Sequence, residues 1–571
     1  QLIRTTHLED NPTLSHEDYH SIYDYWSTDI YSELPEPIQS FLVDTSILDS
    51  FTSEFCHSIL DRTDTEQVLD YLKTQQLFLV PASGGDHSFR YPDLFRDFLQ
   101  AKLGSERKKQ LLYKAAQLTY ESGNPGQSFQ YLLNAEVTED HLPLLVIAGR
   151  QAFGRGQWQT VACCLKGLST EQIQSNPWLS YFLAQVELYQ SRPNQAEYWA
   201  ANAAALFEAN RDRFGLLETQ ILHATLLRCR GQYQQSLALL QQAAAEIPSE
   251  QTPNRIALLI EMYVVSCLLG RFKEAETILN QGLELIAPLE NGYIVAHLYE
   301  GLGAVNYMLG NYPKALQMYK RGADAAPDRK LPSYYAQDNL GSIYEDWGEL
   351  DQALEYGKRN VEIKEKLQMN DVLPQAYFHL AGIHLARNEF KLAENLYRKA
   401  IRMSQTNNCD YFGFSTITVY LARCLSLQGK LTEALQLVEE AIPVAKKQSG
   451  LAWAVCREIS GLVLLSAGKV EKAEKILLDT IADLRTMGFQ KSICHCSALL
   501  ATIYDAKTNP KQAQQYAAES LGIASRLNLV QLFVTQYGLM QPALRIGLEQ
   551  GIEVTFIQQT LARLKDRSLS V

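Results

Sequence analysis

The sequence predicts an all-α protein, a right-handed α-α superhelix of helix hairpins repeating every ~40 residues, preceded by a small domain with a β-hairpin. Three observations lead there. A turn followed by an amphipathic helix recurs, as GRFKEA at 270, GNYPKA at 310, GELDQA at 348, GKLTEA at 429 and GKVEKA at 468. The small residue five places after the turn stands at Ala196, Ser236, Ala275, Ala315, Ala353, Ala393, Ala434, Ala473 and Ala513, at intervals of 40, 39, 40, 38, 40, 41, 39 and 40. Finally, 571 residues exceed what one compact core holds, so the chain must divide or grow by stacking units.

The front elements follow in order. LPEPIQSFLVDTSIL (34–48) suits a helix with Ile38, Phe41 and Leu42 on one side. Thr52 is an N-cap for a second helix carrying Phe55, Cys56 and Ile59. TEQVLDYLKTQQ (65–76) gives a third, with Val68, Leu69 and Leu72 inward. LFLV (77–80) reads as a strand, SGGD (83–86) as its turn and SFRY (88–91) as the returning strand. Pro92 opens a last helix, whose apolar side is Leu94, Phe95, Phe98 and Leu99. Three helices and a hairpin make a winged helix. As a DNA reader it is poorly equipped, because the third helix sets Glu66 and Asp70 against the single Lys73.

From there the hairpins take over. Phe272, Ala275, Leu279, Leu283 and Ile286 share one helix face behind the Gly270 turn. NEFKLA at 388 and TNPKQA at 508 keep the pattern without its first glycine, and shorter copies begin at Gly123 and Gly156. One hairpin cannot cover its own apolar face, so neighbours must stack, and the small residue lets the partner helix approach. The expected division is 1–103 for the front domain with its lead-in, 104–175 for a helical arm, and 176–571 for the superhelix with C-terminal capping helices.

NLGSIYEDWGELDQALEYGKR (339–359) resembles a tetratricopeptide repeat, with Leu340, Gly341 and Tyr344 in its first helix, Gly348 at the turn and Ala353 in the second; residues 301–319 fit as well. The family unit is ~34 residues, so longer helices or loops are expected here. LPEPIQSFLVDTSIL, LFLVP and FRYPDLFRDFL, together with the lead-in YDYWSTDIYSELP (23–35), resemble the winged-helix subdomain of MalT-like regulators, members of the signal-transduction ATPases with numerous domains (STAND). The resemblance implies a hinge of a nucleotide switch rather than a DNA reader. It implies an inducer, small molecule or protein, on the solenoid, which frees an upstream ATPase from an ADP-held state for ATP exchange and self-association. Within PDLFRDF (92–98), Asp93 and Leu94 match the Asp and Leu of that family's His-Asp-Leu motif, while Pro92 stands in place of the His. Asp93 is thus the switch-hinge candidate; equally, a carboxylate in a first helical turn is favoured by the exposed N–H groups alone.

ATP or ADP is expected only in the full-length protein. GxxxxGKS/T does not occur, nor does a LuxR-type helix-turn-helix pattern after residue 540, and the chain opens on Gln1, so a fragment of something longer is expected. A net charge of −12 argues against a broad phosphate-binding surface; the densest basic cluster is Lys102, Arg107, Lys108, Lys109 and Lys114. No apolar run reaches the ~18 residues of a membrane helix and no leader is visible, which with ten scattered cysteines suits a reducing cytoplasm. Cys494-His495-Cys496 has no second pair at zinc spacing, and His379 and His384 read as structural. Without GxSxG, HExxH or a Cys/His nucleophile pair, nothing marks this fragment as an enzyme.

Function is therefore expected on the concave wall, lined by the first helix of each pair. Alignment on the repeat places Glu218, Thr225 and Arg228 there, then His297, Glu300 and Tyr307, then Tyr335, Asp338 and Glu345. Gln375, Arg423, His495 and Asp505 follow. Polar and aromatic groups mix between 297 and 345, as a ligand site requires, and Arg423 supplies a cation to that acidic stretch. The rival expectation is a repeat scaffold that docks a protein or peptide without nucleotide switching.

Overall fold

The computed structural model describes residues 31–568, apart from 76–77, 83–87, 136–138, 155–156, 191, 248–251, 287–291, 326–333, 367–371, 407–412 and 449. Most of the lead-in motif, the SGGD turn and Gly156 therefore lie outside the described residues. The chain divides into two compact units, 1–169 and 170–571.

In the first unit, helices α1 (Glu36–Thr45), α2 (Ser53–Leu60) and α3 (Thr65–Thr74) precede strands β1 (Val80–Pro81) and β2 (Phe89–Arg90) and helix α4 (Asp93–Lys102). The strands are antiparallel, Val80 opposite Arg90 and Pro81 opposite Phe89, and Phe51 bridges to Phe89. Thr52 caps α2, its hydroxyl accepting from the Phe55 N–H at 3.2 Å. The core is Phe41, Leu42, Phe51, Cys56, Leu72, Tyr91, Phe95 and Leu99, and the buried Tyr91 hydroxyl meets Thr45 Oγ1 at 2.7 Å. One expectation is corrected. Of the strand expected over 77–80, only Val80 pairs: Phe78 adopts φ +53°, and its ring stacks on Phe95 at 3.9 Å, which turns the chain out of the extended conformation. The basic cluster is spent locally. Arg107 pairs with Asp44, Lys114 with Asp61, and Lys102 lies over the Tyr31 and Phe98 rings.

Behind α4 come Ser105–Glu121 and Pro125–Asn134, which already follow the repeat chemistry. Gly123 turns at φ +83°, and the buried Ser128 hydroxyl donates to the Ala116 carbonyl at 2.8 Å. Ser236 does the same to Ala224 at 2.7 Å in the second unit. A serine at the close-approach position thus satisfies itself on the partner helix's backbone.

The second unit is a solenoid of hairpins such as Phe414–Leu427 with Leu431–Gln448, and Gln490–Ala506 with Pro510–Leu527. Helices of 17 or 18 residues are common, so the ~40-residue period is absorbed largely by helix length. Each of the nine small residues, Ala196 to Ala513, is at most 1% exposed. Gly303 marks a close approach within a hairpin, since a Cβ there would stand 2.4 Å from the Tyr319 ring.

The turns share one mechanism. Gly231, Gly270, Gly310, Gly348, Gly429 and Gly468 sit at φ +72° to +78°. The next N–H reaches back five residues, as from Gln232 to Leu227 (2.9 Å) and from Lys469 to Leu464 (2.9 Å). These are Schellman caps, closing helix C-termini that would leave carbonyls unpaired. Asn388 (φ +63°) and Thr508 (φ +54°) adopt the same left-handed conformation where the glycine is missing, and both keep the five-residue hydrogen bond, from Glu389 to His384 and from Asn509 to Tyr504.

The solenoid winds until later hairpins meet earlier ones. Trp347 Nε1 donates to the Leu527 carbonyl at 3.1 Å, and Gln531 Nε2 to the Ala386 carbonyl at 3.0 Å. Gly450, at φ +61°, packs so tightly that a Cβ would lie 2.3 Å from the Leu268 carbonyl oxygen. Among the described residues, no helix is long and apolar enough to cross a membrane.

Candidate functional site: a cavity in the superhelix

Because the solenoid closes on itself, its concave wall is an interior. The first helices of six successive hairpins, from Gly292–Met308 to Gln490–Ala506, together with the short helix Val530–Thr535, surround a cavity of about 170 Å³. Phe378, Leu385, Val455, Ile459 and Leu532 form an apolar part of its lining; Tyr307, Glu345, Gln375, Arg423, Glu458, Lys491 and His495 are among the polar part.

At one side sits a carboxylate between turns of the solenoid. Asp346, 3% exposed, accepts from Tyr312 Oη at 2.6 Å and Tyr307 Oη at 3.3 Å on one oxygen, and from Lys491 Nζ at 2.6 Å on the other. Burial alone would depress the Lys491 ammonium, yet Asp346, Tyr307 and Glu345 hold it well above its ordinary value. Burial and Asp346 together push the Tyr307 and Tyr312 phenols up. The Lys491 ammonium and the two phenols therefore keep their protons at neutral pH.

A second relay runs Arg423–Gln536–His495–Glu458. Arg423 can only donate, so the Gln536 amide turns its oxygen to it, accepting at 2.7 and 2.9 Å. The Gln536 nitrogen then donates to His495 Nε2 at 2.8 Å. With Nε2 accepting, His495 Nδ1 is the donor to Glu458 Oε1, at 2.5 Å. Glu458 Oε2 is buried without a hydrogen-bond partner, and so is the fully buried Tyr397 hydroxyl. Glu345 has its carboxyl pushed up, first by burial, with Lys491 and Arg423 opposing.

Of the wall positions expected from the repeat, Tyr307, Glu345, Gln375, Arg423 and His495 line this cavity. Arg228 does not: it is 7% exposed and engaged with Glu261, a buried ion pair rather than a free cation. Glu218 accepts from Tyr181 Oη at 2.7 Å, and Asp505 pairs outside with Arg545 at 2.7 Å. Thr225 donates to the Ile221 carbonyl of its own helix. His297 meets Tyr263 Oη at 3.3 Å, and Glu300 is 5% exposed; neither lines the cavity. The Tyr335 and Asp338 side chains lie outside the described residues. His384 engages Glu389, whereas His379 lines the cavity with Nδ1 3.4 Å from Ser342 Oγ. Cys494 is buried, its sulfur 3.3 Å from the Ser520 carbonyl. In the first unit, exposed Asp93 lies 3.3 Å from Arg96, which also reaches Asp49 at 3.2 Å.

Sequence reasoning passed over Glu458, Lys491, Tyr397 and Tyr420. Two carried a signal: Glu458 stands ten residues before its turn glycine, as Glu300 and Asp338 do, and Lys491 lies one helical turn before His495. Tyr397 comes from a second helix, Phe390–Thr406, which the concave-wall rule does not consult.

A stacked-hairpin superhelix with a polar interior, in a chain that also folds a winged helix, is the architecture of a tetratricopeptide-type sensor region. The chain belongs to the MalT-like family: the family model of the MalT-like TPR region matches residues 217–546, more than half of the chain, and that of the MalT winged helix domain matches residues 27–111. The HTH-type transcriptional regulator MalT of Vibrio cholerae is 24% identical over 276 residues, 47% of this chain and 30% of that protein. The MalT of Yersinia enterocolitica is 20% identical over 536 residues, 91% of this chain and 59% of that protein. The chain therefore spans between about a third and three fifths of these relatives. Among solved structures, the Cut9–Hcn1 hetero-tetramer of the APC/C aligns with a TM-score of 0.50 and 13% identity, over 91% of this chain and 87% of that one, a likeness of fold.

Proposed function

We propose that this chain is the sensing and switch-hinge portion of a larger STAND-type transcriptional regulator, and that its inducer is a small molecule held in the superhelix cavity. The observation that carries this reading is the cavity itself, with buried polar atoms left unpaired beside an apolar surface. A recess of this size, lined on several sides, suits a small ligand better than a long docked peptide. The inducer then biases an ADP/ATP switch in a nucleotide-binding domain of the full-length protein, which self-associates once released. An inducer shifts that equilibrium only by its difference in affinity between the two states. The winged helix serves as a hinge, with Asp93 at the start of α4 as the residue facing the nucleotide-binding domain. It does not read DNA: Lys73, the one cation of α3 noted above, is 3.4 Å from Asp70 and lies over the Phe89 ring.

The test is ADP release from full-length protein, with and without a small-molecule extract of the cells that make it. Gly382 lines the cavity with ordinary van der Waals room for a Cβ, so Gly382→Leu should fill the cavity without breaking the fold. Extract should speed ADP release from the wild type and leave the variant unaffected. Release that ignores the extract, or a variant that responds like the wild type, removes the cavity from the mechanism.

A further inference from the structure

The polar groups of the cavity are unevenly satisfied, and the unevenness has a sign. Lys491 is taken up by Asp346 and Tyr307. The Nε/Nη2 edge of the Arg423 guanidinium is held by Gln536, and His495 is engaged by Gln536 and Glu458. The unmet demand lies with oxygen. Glu458 Oε2 and the Tyr397 hydroxyl have no partner. Charge points the same way. Lys491 is engaged by Asp346, so Arg423 is the cation left to face the two lining carboxylates, Glu345 and Glu458. A buried charge without a counter-charge is costly, and a ligand that brings one recovers that cost.

Gly382 gives this side of the cavity its room. A Cβ there would stand 3.6 Å from Glu345 Oε2 and 3.7 Å from the Tyr397 hydroxyl, so both groups overlook the same bare stretch of helix. Tyr420 is within electrostatic range of Glu345 and Glu458 alike. Beside them lie Phe378, Leu385, Val455, Ile459 and Leu532, which no polar ligand group would satisfy. The volume would hold roughly ten to fifteen waters, on the basis that each occupies at least about 10 Å³ of such space. That is room for a small organic molecule.

We infer that the cavity accepts a small molecule bearing a primary ammonium or similar N–H cation on a compact apolar body, the cation seated on Glu458 Oε2, Glu345 and the Tyr397 hydroxyl, and the body against Phe378 and its apolar neighbours. This deepens the sensor reading and rests on it. An ammonium has three N–H donors and no acceptor, the complement of two carboxylates and a phenol oxygen.

The experiment is a thermal-shift and calorimetric titration of the purified chain with three panels. The first is primary amines (L-leucine, putrescine, agmatine), the second neutral polyols (glucose, glycerol), and the third carboxylates (succinate, acetate). Two variants accompany the wild type. Glu458→Gln removes the charge but keeps an oxygen to accept from His495 Nδ1, and Gly382→Leu occupies the space. The expected result is a raised melting temperature and measurable binding with at least one amine, weakened tenfold or more by Glu458→Gln and abolished by Gly382→Leu. No binding by any amine overturns the inference, as does amine binding that Glu458→Gln leaves unchanged. If polyols or carboxylates bind instead, and Gly382→Leu abolishes that binding, the charge argument is wrong while the cavity remains the sensor site. Binding that survives Gly382→Leu removes both.

Discussion

At the scale of single residues, Thr508 and the pair His297/Glu300 show most directly how backbone and burial set behaviour. A β-branched residue at φ +54° is strained, and at this turn it stands where the other hairpins use glycine. Thr508→Gly should stabilise the chain by about 0.5–1 kcal/mol, the relieved strain being partly offset by greater unfolded-state freedom; an equal or lower denaturation midpoint would show that Asn509 and its neighbours already absorb the strain. His297 and Glu300, one turn apart on Gly292–Met308, give opposite pH slopes. Burial lowers His297 to about 4, so stability present above the unfolded value of 6.5 is lost as pH falls through that window. Burial raises Glu300 to about 8, so the folded chain keeps a proton that the unfolded chain releases near 4.5, and stability declines as pH climbs between these values. Glu300→Gln should therefore gain on the wild type progressively from about pH 5 to pH 8 in denaturant titrations, while His297→Gln should flatten only the acid limb. Parallel curves for all three proteins would contradict the burial argument.

At the scale of elements, the hairpin is the unit whose geometry the small residues control. Ala353 and Ala434 are fully buried where the two helices of a hairpin touch. Leucine at either should overpack the contact and cost about 1–3 kcal/mol, read as a lower denaturant midpoint. Ala→Ser should be better tolerated, because Ser236 and Ser128 show the hydroxyl donating across to the facing helix. A serine variant as damaged as the leucine variant would mean that volume is not the controlling quantity. The hairpin repeat was legible in the sequence for a simple reason: turn, helix phase and close-approach residue are all local, and each recurs at the same offset.

At the scale of the whole superhelix, stability depends on contacts between turns that no repeat predicts. Lys491 crosses from its own helix to Asp346 and Tyr307, 145 and 184 positions earlier. Replacing it with methionine strands a buried carboxylate and should cost on the order of 3 kcal/mol. Amide exchange should rise in Gly292–Met308 and Tyr334–Asp346 together, since both lose the same tether. The exposed pair Arg563–Glu349, half accessible on each side, spans a longer stretch of chain but should be nearly silent when broken. If Arg563→Ala matched Lys491→Met, closure would owe nothing to burial.

What the sequence determined by itself is periodic and local. It set the hairpins, their turns, their nine close-approach residues, the winged helix in front, and which helix of each pair faces inward. Tyr307, Glu345, Gln375, Arg423 and His495 were found on that wall because position within a repeat decides direction. Tertiary structure alone decided how far the solenoid curls. That angle accumulates from small packing rotations at every interface, and only its sum brings Trp347 to Leu527 and Lys491 to Asp346. The same curl turned a groove into a cavity, while packing between neighbouring hairpins engaged Arg228 with Glu261. The curl left Glu458 Oε2 and the Tyr397 hydroxyl, the latter on a second helix that the repeat rule does not consult, as the atoms that await a partner.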